Sequence, residues 1–493
     1  MKRVTAVLLL VAMLASLAAC SKTEQDETTT HADTTGTDTT GTDTTVTETE
    51  PEETRPMHGL SEDLDFGGEE FNINARDWHS NYQFAEEATG DAMNDALYNR
   101  KIKTEEFLNV KIVQELEPKY AEVVNKIKNT VTAGDDVYDL CLIHSMASVS
   151  ELVSRGMLYN FDILPNVDLD AEWWNRDRMD MLRLGKNTYY GVSDYVIPTP
   201  NAIFFNKELI VDNNMENPYE LVYEGKWTLD KFSNMCLTVS RDVNGDGQYT
   251  KDDDVWGMTC NEYSKYVPFM TAAGQFLTSA TADGRRKLDM YTEKTFHILE
   301  VLYNMINTAS AVFVPDGMAE EDMVQMDTGR ILFRLGVITD ADVYRDCEVD
   351  VGFLPYPKYD EAQENYISND GGSLMCIPLT IQQTEMVGAT IEYLSWESEN
   401  EVVPAYYDVT LSGKLARDED SRNMLDLLFS NVAYEVGGNY FGFSGAFNQL
   451  FYVVGNMIIL QDSADFASFY AKNEKSATAI IDKFYEALEK IEG

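Results

Sequence analysis

The chain has 493 residues, with 84 acidic side chains against 38 lysines and arginines and a formal net charge of -46. That balance excludes nucleic acid, anionic lipid surfaces and acidic substrates as partners, because like charge repels them. A hydrophobic content of 44% with 11% aromatic residues is still that of a folded, ring-rich protein.

Lys2 and Arg3 precede an apolar run from Val4 to Leu17 and then "LAAC", the layout of a secretory signal and its cleavage site. The run of about 14 residues is short for a membrane span, which needs ~20, and no later stretch approaches that length. The segment resembles the lipobox of bacterial lipoproteins. The resemblance implies a lipoprotein signal peptide over residues 1–19, lipid on Cys20, and a place on the extracytoplasmic face of the cell membrane. The alternative is ordinary cleavage and secretion.

Residues 20–64 follow as a lipid-anchored linker. Ser21 to Pro56 is acidic, threonine-rich and carries a short TTGTD repeat, with almost no large apolar side chains. It cannot bury enough surface to offset its chain entropy, so disorder is expected. A flexible tether of about 45 residues averages roughly 35–40 Å end to end.

The remaining ~430 residues from Asp65 are too many for one compact core and suit two lobes. "EEFNINA" reads as a strand, "DAMNDALYNRKIKTEEFL" as a helix and "VKIVQEL" as a strand. "YAEVVNKIKNTVTAG" is a helix, "YDLCLI" a buried strand, and "MASVSELVSRG" a helix stopping at Gly156. Repeated βα units predict a largely parallel sheet with right-handed crossovers, whose ligands bind beyond the carboxyl ends of the strands. The loops to watch are then 76–80 and 144–146. Cys141, Cys236, Cys260, Cys347 and Cys376 are an odd set at wide spacing, which reads as buried thiols and not as a disulfide framework.

Segments in order from "GDAMNDALYNRKIKTEEFLNVKI" through "GDDVYDLCLIHSMASVSELVSRGMLYNF", "GKNTYYGVSDYVIPTPNAIFFNKELI", "GKWTLDKF", "GRILF" and "VGFLPYPKYD" to "GGSLMCIPLTIQQTEMVGATIEYLSW" carry a family resemblance. The chain resembles the extracellular solute-binding lipoproteins of ABC importers, in the carbohydrate-binding, maltose-binding-protein-like branch. The later "VVPAYYDVTLSGKLARDEDSRNMLDLL" is similar to the tail of the same group. The resemblance implies an α/β, two-lobed periplasmic-binding-protein-like fold with a hinge between lobes. One lobe would hold 65–195 and 372–402, the other 196–371 and 403–493. Crossings would fall near "DYVIPTP" and "NDGG", with Gly371 and Gly372 turning the backbone. The implied partners are a sugar or oligosaccharide and the permease subunits of the importer, with the protein acting as a monomer.

Sugars present apolar ring faces fringed by hydroxyls, so a site needs flat aromatics with carboxylates, amides and guanidinium groups. Arg76, Asp77 and Trp78 follow the first strand, where the family commonly places ligand groups; Trp78 equally suits packing in a loop. His144 and Ser145 follow another strand end, although a lone histidine is more often structural. Asp194 and Tyr195 lie at the first crossing, Asn369 and Asp370 at the second, and either pair could brace the hinge instead. Tyr440, Phe441 and Phe443 stand in a glycine-rich segment that resembles the family's late aromatic ligand segment. Asn261, Glu262 and Tyr263 are further loop candidates. Trp227 before the helix cap Thr228 reads as a core staple, and of the adjacent Trp173 and Trp174 at most one is expected to pack inward.

"RDVNGDGQYTKDDD" has the spacing of a calcium loop: Asp242, Asn244, Asp246, Gln248 by its carbonyl, Thr250 and Asp253 at the ligand positions, with Gly247 at the turn. A helix precedes it and a strand follows, and Asp253 stands where a sensor loop has glutamate. It therefore resembles dockerin-type structural loops, with calcium as a brace; the alternative is a metal-free acidic turn. An enzyme is the competing class, but GxSxG, GxxxxGK[ST], GxGxxG and HExxH are absent from the sequence. A secreted glycan-active enzyme and a surface glycan-binding adhesin stay open as alternatives.

Overall fold

A computed structural model describes residues 57–77, 85–145, 149–260, 266–314, 325–344, 347–412, 419–455, 457, 463 and 465–493. The signal segment, Cys20 and the tether as far as Pro56 lie outside them. Residues 57–64, expected as the end of the tether, belong to the folded body. His58 is buried, its ring 4.9 Å from Phe107, 5.2 Å from Tyr393 and 4.8 Å from Trp396. Two helices supply those rings, a tertiary arrangement that a polar stretch of sequence does not announce.

β1 (Glu69–Arg76) and β2 (Val110–Glu117) pair in parallel, from Glu69 opposite Val110 to Arg76 opposite Glu117, across helix α1 (Ala92–Leu108). Asp91 caps α1 by accepting the Asn94 N–H, and Asn109 ends it in the left-handed region at φ 49°. Helix α2 (Tyr120–Ala133) stops at Gly134, φ 78°, and leads to β3 (Leu140–His144), parallel to β1. Leu140, Cys141, Leu142 and Ile143 are all 0% exposed, as a strand covered on both faces requires. Each fully buried large aliphatic side chain there stabilises the fold by about 1.5–3 kcal/mol. Helix α3 (Ser150–Ser154) follows and the chain turns at Gly156, φ 63°.

Past 194–200 the chain builds a second sheet from β4 (Asn201–Asn206), β5 (Trp256–Thr259), β8 (Val312–Phe313), β9 (Ile331–Val337) and β10 (Val351–Leu354). A hairpin of β6 (Thr278–Ala280) and β7 (Arg286–Leu288) intervenes in the chain between β5 and β8. The order is β10-β4-β9-β5-β8, with β4 antiparallel to both neighbours and β5 parallel to both of its own. The expectation of a largely parallel sheet therefore fits the first sheet better than this mixed one. β4 is entered directly from the crossing and not from a crossover helix, so nothing imposes parallel pairing on it. Helix α4 (Leu229–Val239) is capped by Thr228, which accepts the Lys231 N–H, and Trp227 beside it is wholly buried, donating its indole N–H to the Pro355 carbonyl at 2.9 Å.

The chain returns through β11 (Ser368–Asn369) to β12 (Ser373–Cys376), which joins the first sheet antiparallel to β3 with Ser373 opposite His144, giving the order β12-β3-β1-β2. Helix α5 (Thr384–Glu397) packs on α1, and residues 398–412 continue along α1. Residues 403–412, expected in the second lobe, thus lie against the first. β13 (Val432–Ala433) pairs in parallel with β11, followed by helix α6 (Val436–Phe441) and the 27-residue helix α7 (Phe466–Glu492).

Both Trp173 and Trp174 are buried, at 3% and 4% exposure, correcting the expectation that only one packs inward. They sit in a turn in which the Trp174 N–H reaches the Ala171 carbonyl, so helical geometry does not separate them. Both indoles donate to Glu392 of α5, at 3.0 and 2.8 Å. Among the described residues no disulfide links the five cysteines, and none of the helices is long and apolar enough to cross a membrane.

Candidate ligand-binding cleft

Asp370 sits where three chain segments run between the sheets. Its Oδ1 accepts the N–H groups of Thr199 at 3.1 Å and Gly372 at 2.7 Å, and its Oδ2 accepts from the Tyr434 hydroxyl at 3.2 Å. The three partners belong to the first crossing, the second crossing and the segment after β13. Asn369 is equally internal: its side-chain amide donates to Asn201 at 3.1 Å. Both residues are under 5% exposed and act as hinge braces. Gly371 and Gly372 are not in the left-handed region; a Cβ on Gly372 would fall 2.9 Å from the Asp370 carboxylate, so the small residue makes room for the brace and does not turn the chain.

Arg76, His144 and Ser145 lie at the carboxyl ends of β1 and β3. Arg76 ends β1, with its guanidinium carbon 5.7 Å from the centre of the Tyr120 ring. His144 ends β3, 5.6 Å from the same ring. Burial first, and the Arg76 charge second, pull the His144 pKa down to about 4, so near neutral pH the imidazole is uncharged and offers one donor and one acceptor. Ser145 donates its N–H to the Gly372 carbonyl at 3.0 Å, and its Oγ is buried with no hydrogen-bond partner. Asp77 is exposed. Across from Tyr120, 6.4 Å away, stands Phe443, with Phe451 and Tyr452 each 6.5 Å behind it. Tyr120 and Phe443 are both 38% exposed, the partial exposure of a ring that can still receive a partner.

Other proposed ligand residues lie elsewhere. Tyr195 is 1% exposed, with the Arg100 guanidinium carbon 4.5 Å from its ring centre and its carbonyl accepting from Arg100 at 3.3 Å. Tyr440 is 2% exposed, its hydroxyl donating to the Leu182 carbonyl at 2.6 Å, and Phe441 is 0% exposed against Phe447 and Phe484. These three are corrected to packing residues: the neighbouring helices close over them, a burial that glycine-rich local sequence does not encode. Asp194 is half-buried behind the first crossing, its N–H on the Trp173 carbonyl; burial pushes its carboxyl up to about 7, Glu399 adds to this and Arg178 opposes it. Trp78, Asn261, Glu262 and Tyr263 fall outside the described residues.

Tyr120, beside Arg76 and His144, is a candidate that sequence reasoning missed. It begins α2 directly after β2, so the rule that drew attention to the ends of β1 and β3 would have found it if applied to β2 as well. Tyr452 carried no comparable signal.

The loop 242–254 is well ordered by its own backbone. Asp242 accepts the N–H groups of Gly245 at 2.6 Å and Gly247 at 2.7 Å, Asn244 accepts from Asp246, and Asp246 accepts from Gln248. The acid that fixes the loop from inside is Asp254, at 0% exposure, accepting the N–H groups of Val243 at 2.9 Å and Thr250 at 2.7 Å; Asp253 is exposed, its carboxylate accepting from the Thr250 hydroxyl and its own N–H donating to that hydroxyl, both at 3.3 Å. The donors suit calcium by type, being hard oxygens, but among the described residues no three His, Cys, Asp or Glu side chains gather as a cage.

No protein-family profile matches the sequence, and a search of curated proteins finds no match. Solved structures do match. An ABC substrate-binding protein of Listeria monocytogenes, in complex with cycloalternan, superposes with a TM-score of 0.57 at 14% identity over 85% of this chain and 99% of its own. The galacto-N-biose-/lacto-N-biose I-binding protein of an ABC transporter from Bifidobacterium longum, in complex with lacto-N-biose, gives 0.58 at 12% over 85% and 98%. The maltose-maltodextrin binding protein of Alicyclobacillus acidocaldarius gives 0.53 at 10% over 85% and 100%. This chain shares their two-lobed fold.

Proposed function

We propose that this protein is an extracytoplasmic solute-binding protein that captures a sugar or oligosaccharide between its lobes and delivers it to the permease of an ABC importer. Cys20 is its lipid anchor, and the acidic tether lets the body sweep the space beside the membrane. The observation that carries the reading is the facing pair Tyr120 and Phe443 beside Arg76 and neutral His144, in a fold shared with proteins solved in complex with cycloalternan and with lacto-N-biose. At 6.4 Å the two rings touch each other, so a sugar ring enters only as they part, and hinge motion about Asp370 supplies the space. The imidazole and guanidinium then meet hydroxyls at the sugar's edge.

A glycan array followed by calorimetry tests this. Saturable binding of a neutral saccharide is expected, with Tyr120→Ala and Phe443→Ala each weakening it about tenfold or more, the equivalent of losing ~1.4 kcal/mol. Steady release of hydrolysis products would identify an enzyme instead. Binding that is indifferent to both substitutions would move the site elsewhere.

A further inference from the structure

Helix α6 meets the first lobe along one stripe. Val436, Asn439, Tyr440 and Phe443 are spaced by three, four and seven residues, which sets their side chains on a single helical face. The backbone stays helical past Phe441, since the Gly442 N–H reaches the Gly438 carbonyl at 2.7 Å and Gly442 has φ -51°. Two members of the stripe touch the first lobe directly. The Tyr440 hydroxyl donates to the Leu182 carbonyl at 2.6 Å and its ring lies 5.9 Å from Tyr190, while Phe443 stands 6.4 Å from Tyr120. Gly191, next to Tyr190, exchanges hydrogen bonds with Met375 of β12, which fixes that wall to the first sheet.

The glycine side of α6 is seated on its own lobe. A Cβ on Gly438 or Gly442 would fall 2.2 or 2.7 Å from the Phe451 ring, and one on Gly437 would fall 2.8 Å from Thr278. The stripe through Asn439 and Phe443 is therefore the face turned towards the cleft.

Asn439 is 3% exposed, and its Nδ2 is buried with no hydrogen-bond partner. Glu435, four residues back, does not take it: one carboxylate oxygen accepts the Leu277 N–H at 2.9 Å and the other accepts the Gly438 N–H. Leaving a buried donor unpaired costs stability, and an acceptor brought in by a ligand recovers that cost.

We propose that Asn439 is a specificity-determining residue of the cleft, whose side-chain amide donates to a hydroxyl on the edge of the sugar ring that enters between Tyr120 and Phe443. It stands one helical turn back from Phe443 towards Tyr434, the residue tied to the Asp370 hinge brace. Phe443 thus receives the sugar's face and Asn439 its edge. The inference rests on the sugar-binding reading and deepens it: a saccharide that lacks this hydroxyl leaves the amide unpaired, so the cleft discriminates against the corresponding deoxy sugar.

The test is calorimetric titration of the full chain with the saccharide that binds tightest on the glycan array and with each of its monodeoxy analogues. The parent is expected to bind one analogue about tenfold or more weakly than the complete saccharide, and Asn439→Ala to bind that pair alike, because the missing hydroxyl then has no donor to lose. Asn439→Ala should also weaken the complete saccharide about tenfold. Asn439→Leu, apolar and without the cavity of the alanine variant, should lose the preference in the same way. Equal binding of the complete saccharide and every analogue by the parent, or a preference that survives in the folded variants, would overturn the inference and leave the sugar reading intact. A parent that binds no saccharide would overturn the sugar reading and this inference with it.

Discussion

At the scale of single residues, Glu392 shows how a polar group in the core makes stability depend on pH. Burial pushes its carboxyl from near 4.5 up to about 7, although the Trp174, Asp168 and Trp173 N–H groups favour the ionised form. The folded protein therefore holds a proton that the unfolded chain gives up. Its contribution is fully present below pH 4.5 and is lost as the pH rises towards 7, a change of roughly 3 kcal/mol at 1.36 kcal/mol per pH unit. Glu392→Gln should lower the melting temperature overall, because one indole N–H loses its acceptor, while flattening its fall between pH 4.5 and 7. Asp194, raised to about 7, and Asp139, raised to about 6, keep some slope in the variant. Melts across this range check it, and an unaltered slope would show that Glu392 does not titrate there. The same scale separates Phe443 from Tyr440 and Phe441: all three stand in one aromatic, glycine-rich stretch, and only the packing of α6 against Leu182 and Phe484 reveals which ring stays available.

At the scale of elements, the acidic loop is a connector from α4 to β5. Its register is set from inside by Asp254, and the Trp256 indole donates to the Thr250 carbonyl at 3.0 Å. Asp254→Ala orphans the Val243 and Thr250 N–H groups at about 1–3 kcal/mol each, so the melting temperature should drop by several degrees in calcium and in chelator alike. A rise in melting temperature when calcium is added to the unsubstituted protein is the outcome that the calcium reading of the sequence requires. The motif spacing was legible, yet it pointed to Asp253 as the closing acid. One residue of difference turns the side chain from the interior to solvent, and spacing alone cannot see that.

For the whole molecule, Asp370 is the point where the lobes are joined. Asp370→Ala strips acceptors from Thr199, Gly372 and Tyr434 at once. A loss of several kcal/mol is expected, at about 1–3 for each buried donor left unpaired, measured as a lower midpoint in urea; a variant as stable as the parent would show that the crossings hold without the brace.

The sequence by itself determined much of this. The alternating strands and helices of the first sheet, the cap Thr228, the buried staple Trp227 and the strand ends at Arg76 and His144 follow from periodicity, capping chemistry and the behaviour of parallel sheets. Those are local rules, satisfied within a few residues or a single βα unit. The tertiary structure alone decided that His58 belongs to the body, that Trp173 and Trp174 share one carboxylate, and that Tyr195, Tyr440 and Phe441 are packed away while Tyr120 and Phe443 face each other. Each of these depends on contacts between segments tens to hundreds of residues apart, where burial and pairing are set by what the rest of the chain brings alongside.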